Sequence, residues 1–116
     1  MLLAEDDTEL RNLLRATLVR AGFEVTSVGD GVQLLREFGV RATELDLVIT
    51  DVEMPVKNGL AAIEELRRSG YDTPVIVISG SGLANAVGAA DSGACAYVEK
   101  PVPLDGLVAL ALSLTN

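Results

Sequence analysis

Apolar runs and helical periods alternate along this 116-residue chain. Runs of strand length occur at MLLA (1–4), FEVTSV (23–28), LDLVIT (45–50), PVIVIS (74–79) and CAYVEK (95–100). The third and fourth are nearly continuous Leu, Val and Ile, the pattern of strands buried on both faces. Leu10, Leu13, Leu14, Leu18 and Ala21 repeat at helical spacing, with Arg11, Arg15 and Arg20 off the stripe and Gly22 as a stop. Residues 31 to 40 give a second helix, and Leu60, Ile63 and Leu66 mark a third that ends near Gly70. A fourth, around 83 to 92, is poor in large side chains and carries Gly88, which makes it the least stable. The last begins near Leu104, with Leu104, Leu107, Val108, Ala111, Leu112 and Leu114 on a broad stripe and Leu110 outside it. Five strands alternating with five helices predict an α/β fold with a parallel sheet, in a single domain over residues 1–116.

Composition sharpens this picture in three places. Hydrophobic residues make up 49% of the chain but aromatics only 3%, so Leu, Val, Ile and Ala must fill the core. Nine basic residues against seventeen acidic ones leave a net charge of −8, a field that argues against direct nucleic-acid binding. The chain has no histidine, which excludes Ser-His-Asp triads, Cys-His pairs and histidine zinc sites. The lone Cys95 cannot form an internal disulfide, as suits a reducing compartment. No apolar run approaches the roughly 20 residues of a membrane span. The expectation is a soluble, cytoplasmic protein.

In a parallel sheet with right-handed crossovers the carboxyl ends of the strands share one edge, where ligands bind. The first strand runs into Glu5, Asp6 and Asp7, and the third into Asp51. If those strands are neighbours, the carboxylates converge and repel unless a cation sits among them. Magnesium, which favours hard oxygen ligands and phosphate, is the natural occupant. Asp51 is then placed to be a nucleophile that accepts a phosphoryl group. Ser79 at the end of the fourth strand and Lys100 at the end of the fifth offer a hydroxyl and a compact cation to the phosphoryl oxygens. Asp7, followed by Thr8, reads instead as a helix N-terminal residue. Asn58-Gly59 reads as a tight turn that needs positive φ.

LLAEDD, DLVITDVEMPVKNG, PVIVISG and AYVEKP, in this order and spacing, resemble the receiver domain of bacterial two-component response regulators over essentially the whole chain. The resemblance implies a flavodoxin-like (βα)5 fold with strand order 2-1-3-4-5. It implies Asp51 as phosphoacceptor, Glu5 and Asp6 as a metal-side acid pair with Asp51, and the backbone carbonyl of Glu53 as a further ligand to Mg2+ or Mn2+. Ser79 becomes the switch hydroxyl, Lys100 the phosphate-pairing lysine and Tyr97 a switching aromatic, with a cis peptide at Lys100-Pro101. Glu53 and Ser81 fall where the family tunes phosphoryl lifetime. Glu-Asp stands where other members have Asp-Asp, and Ser79 where Thr is frequent.

The implied partners are a histidine kinase or a histidine phosphotransfer protein. An output domain, or a receiver homodimer through the last helix, is a further possibility. The implied function is a phosphorylation-dependent switch, not an enzyme acting on other substrates. Three rival readings fit the sequence less well. A phosphohydrolase places a second Asp where Glu53 stands and needs a cap for which 116 residues leave no room. A flavodoxin-like cofactor binder would bring phosphate against the EDD acids, and a degenerate receiver that only binds partners fits poorly with an intact site. The missing leader before MLLA and the abrupt end at Asn116 suggest a piece excised from a longer regulator or hybrid kinase.

Overall fold

The computed structural model describes residues 1–80 and 83–115. Ser81, one of the residues expected to tune phosphoryl lifetime, lies outside them. The elements run β1 (Leu2–Ala4), α1 (Thr8–Arg20), β2 (Thr26–Val28), α2 (Gly31–Arg41), β3 (Val48–Asp51), α3 (Gly59–Arg68), β4 (Val75–Ser79), α4 (Leu83–Ser92), β5 (Ala96–Glu99) and α5 (Leu104–Thr115). All five strands are parallel, in the order β2-β1-β3-β4-β5. This is the expected flavodoxin-like topology.

Alternation along the strands divides the core in two, because successive side chains leave opposite faces of a sheet. Leu2, Ala4, Val48, Val75 and Val77 pack with Leu34 and Phe38 of α2, Ala62, Ile63 and Leu66 of α3, and Ala89 of α4. Leu3, Ile49, Ile76 and Ile78 face the other way, onto Leu14 and Leu18 of α1 and Leu107 and Ala111 of α5. β3 and β4 are buried along their whole length, as their unbroken apolar runs require. Among the described residues no helix is long and apolar enough to cross a membrane.

Several expectations need correction. Leu110 packs against the α1/α5 core, whereas Leu112 is 41% exposed. At about 100° per residue the stripe centres between Leu107 and Ala111, and Leu112 falls further from that centre than Leu110 does. Leu13 is likewise exposed, leaving Leu14 and Leu18 as the buried residues of α1. Only Thr26–Val28 of FEVTSV joins the sheet. Phe23 and Val25 pack on the α1/α5 core without strand pairing, and the Phe23 N–H closes back on Leu18 O.

Asn58-Gly59 does not adopt positive φ. Asn58 caps α3, its side chain accepting from the Ala61 N–H at 2.9 Å. Gly59 is needed for space, since a Cβ there would lie 2.0 Å from the carbonyl oxygen of Asp51. The positive φ of this loop, +70°, belongs to Val56. The expected cap by Asp7 and the expected cis Lys100-Pro101 bond are both present: Asp7 accepts from the Glu9 and Leu10 N–H groups.

Candidate functional site

Pairing of β1 with β3 places Ala4 beside Thr50, so the residues that follow, Glu5 and Asp51, share the carboxyl edge at the middle of the sheet. Neighbouring strands and overlying helices exclude water from both. Glu5 is fully buried and Asp51 is 2% exposed, while Asp6 points outward. One carboxylate oxygen from each of Glu5, Asp6 and Asp51 can be chosen so that all three lie within 4.8 Å of one another.

Backbone groups fix these acids. Glu5 Oε2 accepts the Asp7 N–H at 3.1 Å, and Arg11 Nη1 donates to the Glu5 carbonyl at 2.9 Å. The Glu53 N–H donates to Asp51 Oδ1 at 3.2 Å. On the far side of the Asp51 peptide the missing side chain of Gly59 lets α3 begin against the strand end.

Lys100 is the cation of this site. Its Nζ donates to Asp51 Oδ2 at 2.7 Å and stands 3.1 Å from Glu5 Oε1. Burial is the largest influence on Lys100 and pushes its pKa down, but Asp51 and Glu5 together outweigh it and the net shift is upward. Burial, reinforced by Asp51, raises the Glu5 carboxyl to about 7, against the opposing pull of the Asp7 N–H and Lys100. Although Lys100 is close, Glu5 Oε1 is buried without a well-formed hydrogen bond. A buried carboxylate oxygen left in that state, beside two further acids, suits a small hard cation. The donor set is all oxygen, which fits magnesium or manganese chemistry.

The other expected site residues converge on the same edge. Ser79 is fully buried at the end of β4, and its carbonyl accepts the Lys100 N–H at 2.8 Å. Tyr97 is half-buried on β5, in register with Val77 and against the α2–α4 core. Glu53 is exposed in the loop after β3. Three features of the site were not read from the sequence: the contact of Lys100 with Glu5 as well as Asp51, the Arg11 bond to the Glu5 carbonyl, and the Glu53 N–H on Asp51. Only Arg11 carried a signal, as a basic residue one helical turn into α1 and off its apolar stripe.

Fold and site together define a flavodoxin-like α/β protein with an acidic, lysine-bridged cluster at its carboxyl edge. A family model described as the response regulator receiver domain matches residues 1–112. The chain is 40% identical over its whole length to the DNA-binding transcriptional regulator NtrC of Azospirillum brasilense, covering 24% of that protein. It is 39% identical over its whole length to the response regulator protein PmrA of Pseudomonas aeruginosa, covering 52% of it. The chain thus spans about a quarter to a half of these curated relatives. Among solved structures, the receiver domain of NtrX from Brucella abortus superposes with a TM-score of 0.88 at 30% identity, covering 98% of this chain and 96% of that one. A response regulator receiver domain protein from Clostridium thermocellum gives 0.92 at 29% identity, with coverages of 99% and 92%. The chain belongs to the response regulator receiver domain family.

Proposed function

We propose that the chain is a phosphorylation-dependent switch in which Asp51 accepts a phosphoryl group from a phosphohistidine on a kinase or phosphotransfer protein. The observation that carries this reading is the 2.7 Å contact of Lys100 Nζ with Asp51 Oδ2 inside a buried acidic cluster at the strand ends. A carboxylate oxygen of Asp51 supplies the electron pair of the new O–P bond. The N–P bond of the donor breaks, and its pair stays on the imidazole nitrogen. The Glu53 N–H and Lys100 hold the two Asp51 oxygens in place beforehand, which lowers the cost of orienting the nucleophile.

Glu5, Asp6, Asp51 and the Glu53 carbonyl are the groups that would hold Mg2+ or Mn2+. When bound, the metal offsets charge on the phosphoryl oxygens. As phosphate oxygens form, Lys100 exchanges part of its contact with Asp51 for one with them, and the Ser79 hydroxyl donates to another. Lys100 and Ser79 are joined by a backbone hydrogen bond, so their movement draws on the ends of β4 and β5 together. Tyr97, two residues before Glu99 on β5, carries the change towards α4 and α5. The chain transforms only itself, in phosphoryl uptake and loss, and its output lies in a partner or an attached domain.

The test is intact mass after incubation with Mg2+ and a small acyl-phosphate donor, with Asp51→Asn alongside. The expected result is a magnesium-dependent gain of one phosphoryl group that the variant does not show. A folded, magnesium-binding protein that gains nothing is a partner-binding module, and the switch reading fails.

A further inference from the structure

The three arginines of α1 are not alike. Arg15 and Arg20 are exposed, whereas Arg11 is half-buried and reaches back to the end of β1. Its Nη1 donates to the Glu5 carbonyl at 2.9 Å. The same nitrogen lies against Gly29, where an added Cβ would stand 3.1 Å from it. Gly29 is held in turn by α2, its N–H donating to Gln33 Oε1 at 2.9 Å, and Asp30 caps that helix. One guanidinium therefore ties together α1, the end of β1 and the turn into α2.

The bond falls on the peptide that leads into a candidate metal ligand. Pairing of β1 with β2 runs to Ala4 and Val28, and the Glu5 N–H adds one more bond, to the Val28 carbonyl at 3.1 Å. The Glu5 carbonyl lies past the end of that pairing on a fully buried residue, and a buried carbonyl needs a donor. Arg11 supplies it. Because this carbonyl belongs to the Glu5–Asp6 peptide, the bond sets the direction in which the chain leaves the strand. Glu5 is held again through its side chain, which accepts the Asp7 N–H at 3.1 Å. Asp6 is exposed, and its place beside Glu5 and Asp51 follows from that backbone.

We propose that Arg11 is a positioning residue for the divalent cation: it locks the Glu5–Asp6 peptide against the turn after β2 and so keeps the Asp6 carboxylate within reach of Glu5 and Asp51. The proposal rests on the reading of these three acids as the metal set of the phosphoryl acceptor. Charge alone predicts the reverse effect. A cation near a divalent metal repels it, so removing only the charge of Arg11 would tighten metal binding. Removing a clamp from the backbone of a ligand weakens it.

The experiment titrates Mg2+ calorimetrically into wild type, R11M and R11K, and follows phosphoryl uptake from a small acyl phosphate over the same Mg2+ range. R11M keeps the apolar stem without the donors, and R11K keeps the charge as a single ammonium in place of the planar fork. R11M is expected to bind Mg2+ about tenfold more weakly than wild type, with R11K between the two. Uptake by R11M is expected to lag at low Mg2+ and to come within about twofold of wild type at saturation, because the Glu53 N–H and Lys100 hold Asp51 independently. Unchanged or tighter Mg2+ binding in R11M overturns the proposal. An uptake defect that persists at saturating Mg2+ also overturns it, since the arginine would then act on Asp51. If R11M does not fold, R11K decides alone, and wild-type binding in R11K counts against the clamp. A wild-type chain that binds Mg2+ but takes up no phosphoryl group removes the acceptor reading and leaves the calorimetric result standing, whereas one that binds no Mg2+ removes the metal set and this proposal with it.

Discussion

Gly59 and Asp51 are in backbone contact: a Cβ on Gly59 would lie 2.0 Å from the Asp51 carbonyl oxygen and 2.9 Å from Thr50 Oγ1. The start of α3 is therefore pressed against the strand end that presents the candidate nucleophile. Gly59→Ala is expected to destabilise the domain by about 2–4 kcal/mol, because backbone and a buried hydroxyl must both give way. Urea unfolding should show a lower midpoint with an unchanged slope. A midpoint within experimental error of wild type would mean that the loop yields freely.

The raised pKa of Glu5 gives stability a sign with pH. In the folded, metal-free chain Glu5 keeps its proton up to about pH 7, whereas an unfolded glutamate releases it near 4.5. Across that window the folded state binds more protons, so this group's contribution is complete below 4.5 and is lost as pH rises through 7. Glu5→Gln is expected to gain stability over wild type by roughly 1–3 kcal/mol at pH 8 and to show little difference at pH 4.5. Denaturation in chelator at the two pH values measures it, and an equal difference at both would remove Glu5 as the titrating group.

Lys100 occupies the space between two acids that would hold a divalent cation. Lys100→Met removes a positive charge from beside that position and is expected to tighten Mg2+ binding by about tenfold in a calorimetric titration. The same change leaves Asp51 and Glu5 without their nearest cation, and the metal-free variant is expected to lose about 2 kcal/mol. Weaker magnesium binding in Lys100→Met would show that the lysine organises the acids more than it competes with the ion.

Arg67 joins α3 to the segment after α4. Its Nε and Nη2 both donate to the Gly93 carbonyl, at 3.1 and 2.9 Å, and Nη1 donates to the Tyr71 carbonyl at 3.0 Å. Arg67→Ala is expected to cost about 1–3 kcal/mol and to speed amide exchange in the C-terminal turn of α4 more than in β3. Uniform acceleration across the domain would instead make the contact part of the global core.

How far the sequence could be read depended on whether a signal was local. β3 and β4 are apolar on both faces, so their runs were visible without knowing their neighbours. Asp51 and Ser79 end those runs and Lys100 follows the half-buried β5, and the shared edge of a parallel sheet then brings them together. Leu110 and Leu112 were misplaced because a helix as apolar as α5 leaves its stripe wide, and small errors in phase exchange its margins. Phe23 and Val25 failed to extend β2 because the chain leaving α1 closes on Leu18 before it reaches the sheet. The Asn58-Gly59 pair carries a turn signal by composition, but here the glycine answers to a steric demand from Asp51, which no local rule contains. The bridge from Lys100 to Glu5 was hidden for a similar reason, since it depends on side-chain reach across two intervening strands.

Lys100 meets three other strand ends at once: its ammonium reaches Glu5 after β1 and Asp51 on β3, and its N–H holds Ser79 on β4. With its own place after β5, one residue touches the carboxyl ends of four of the five strands. In mechanical terms this is a joint with few independent degrees of freedom. A pull on the ammonium shifts load among β1, β3 and β5 together, while the amide carries it to β4. One new anion at this joint would therefore load the ends of β1, β3, β4 and β5 together, while β2 stands outside the linkage.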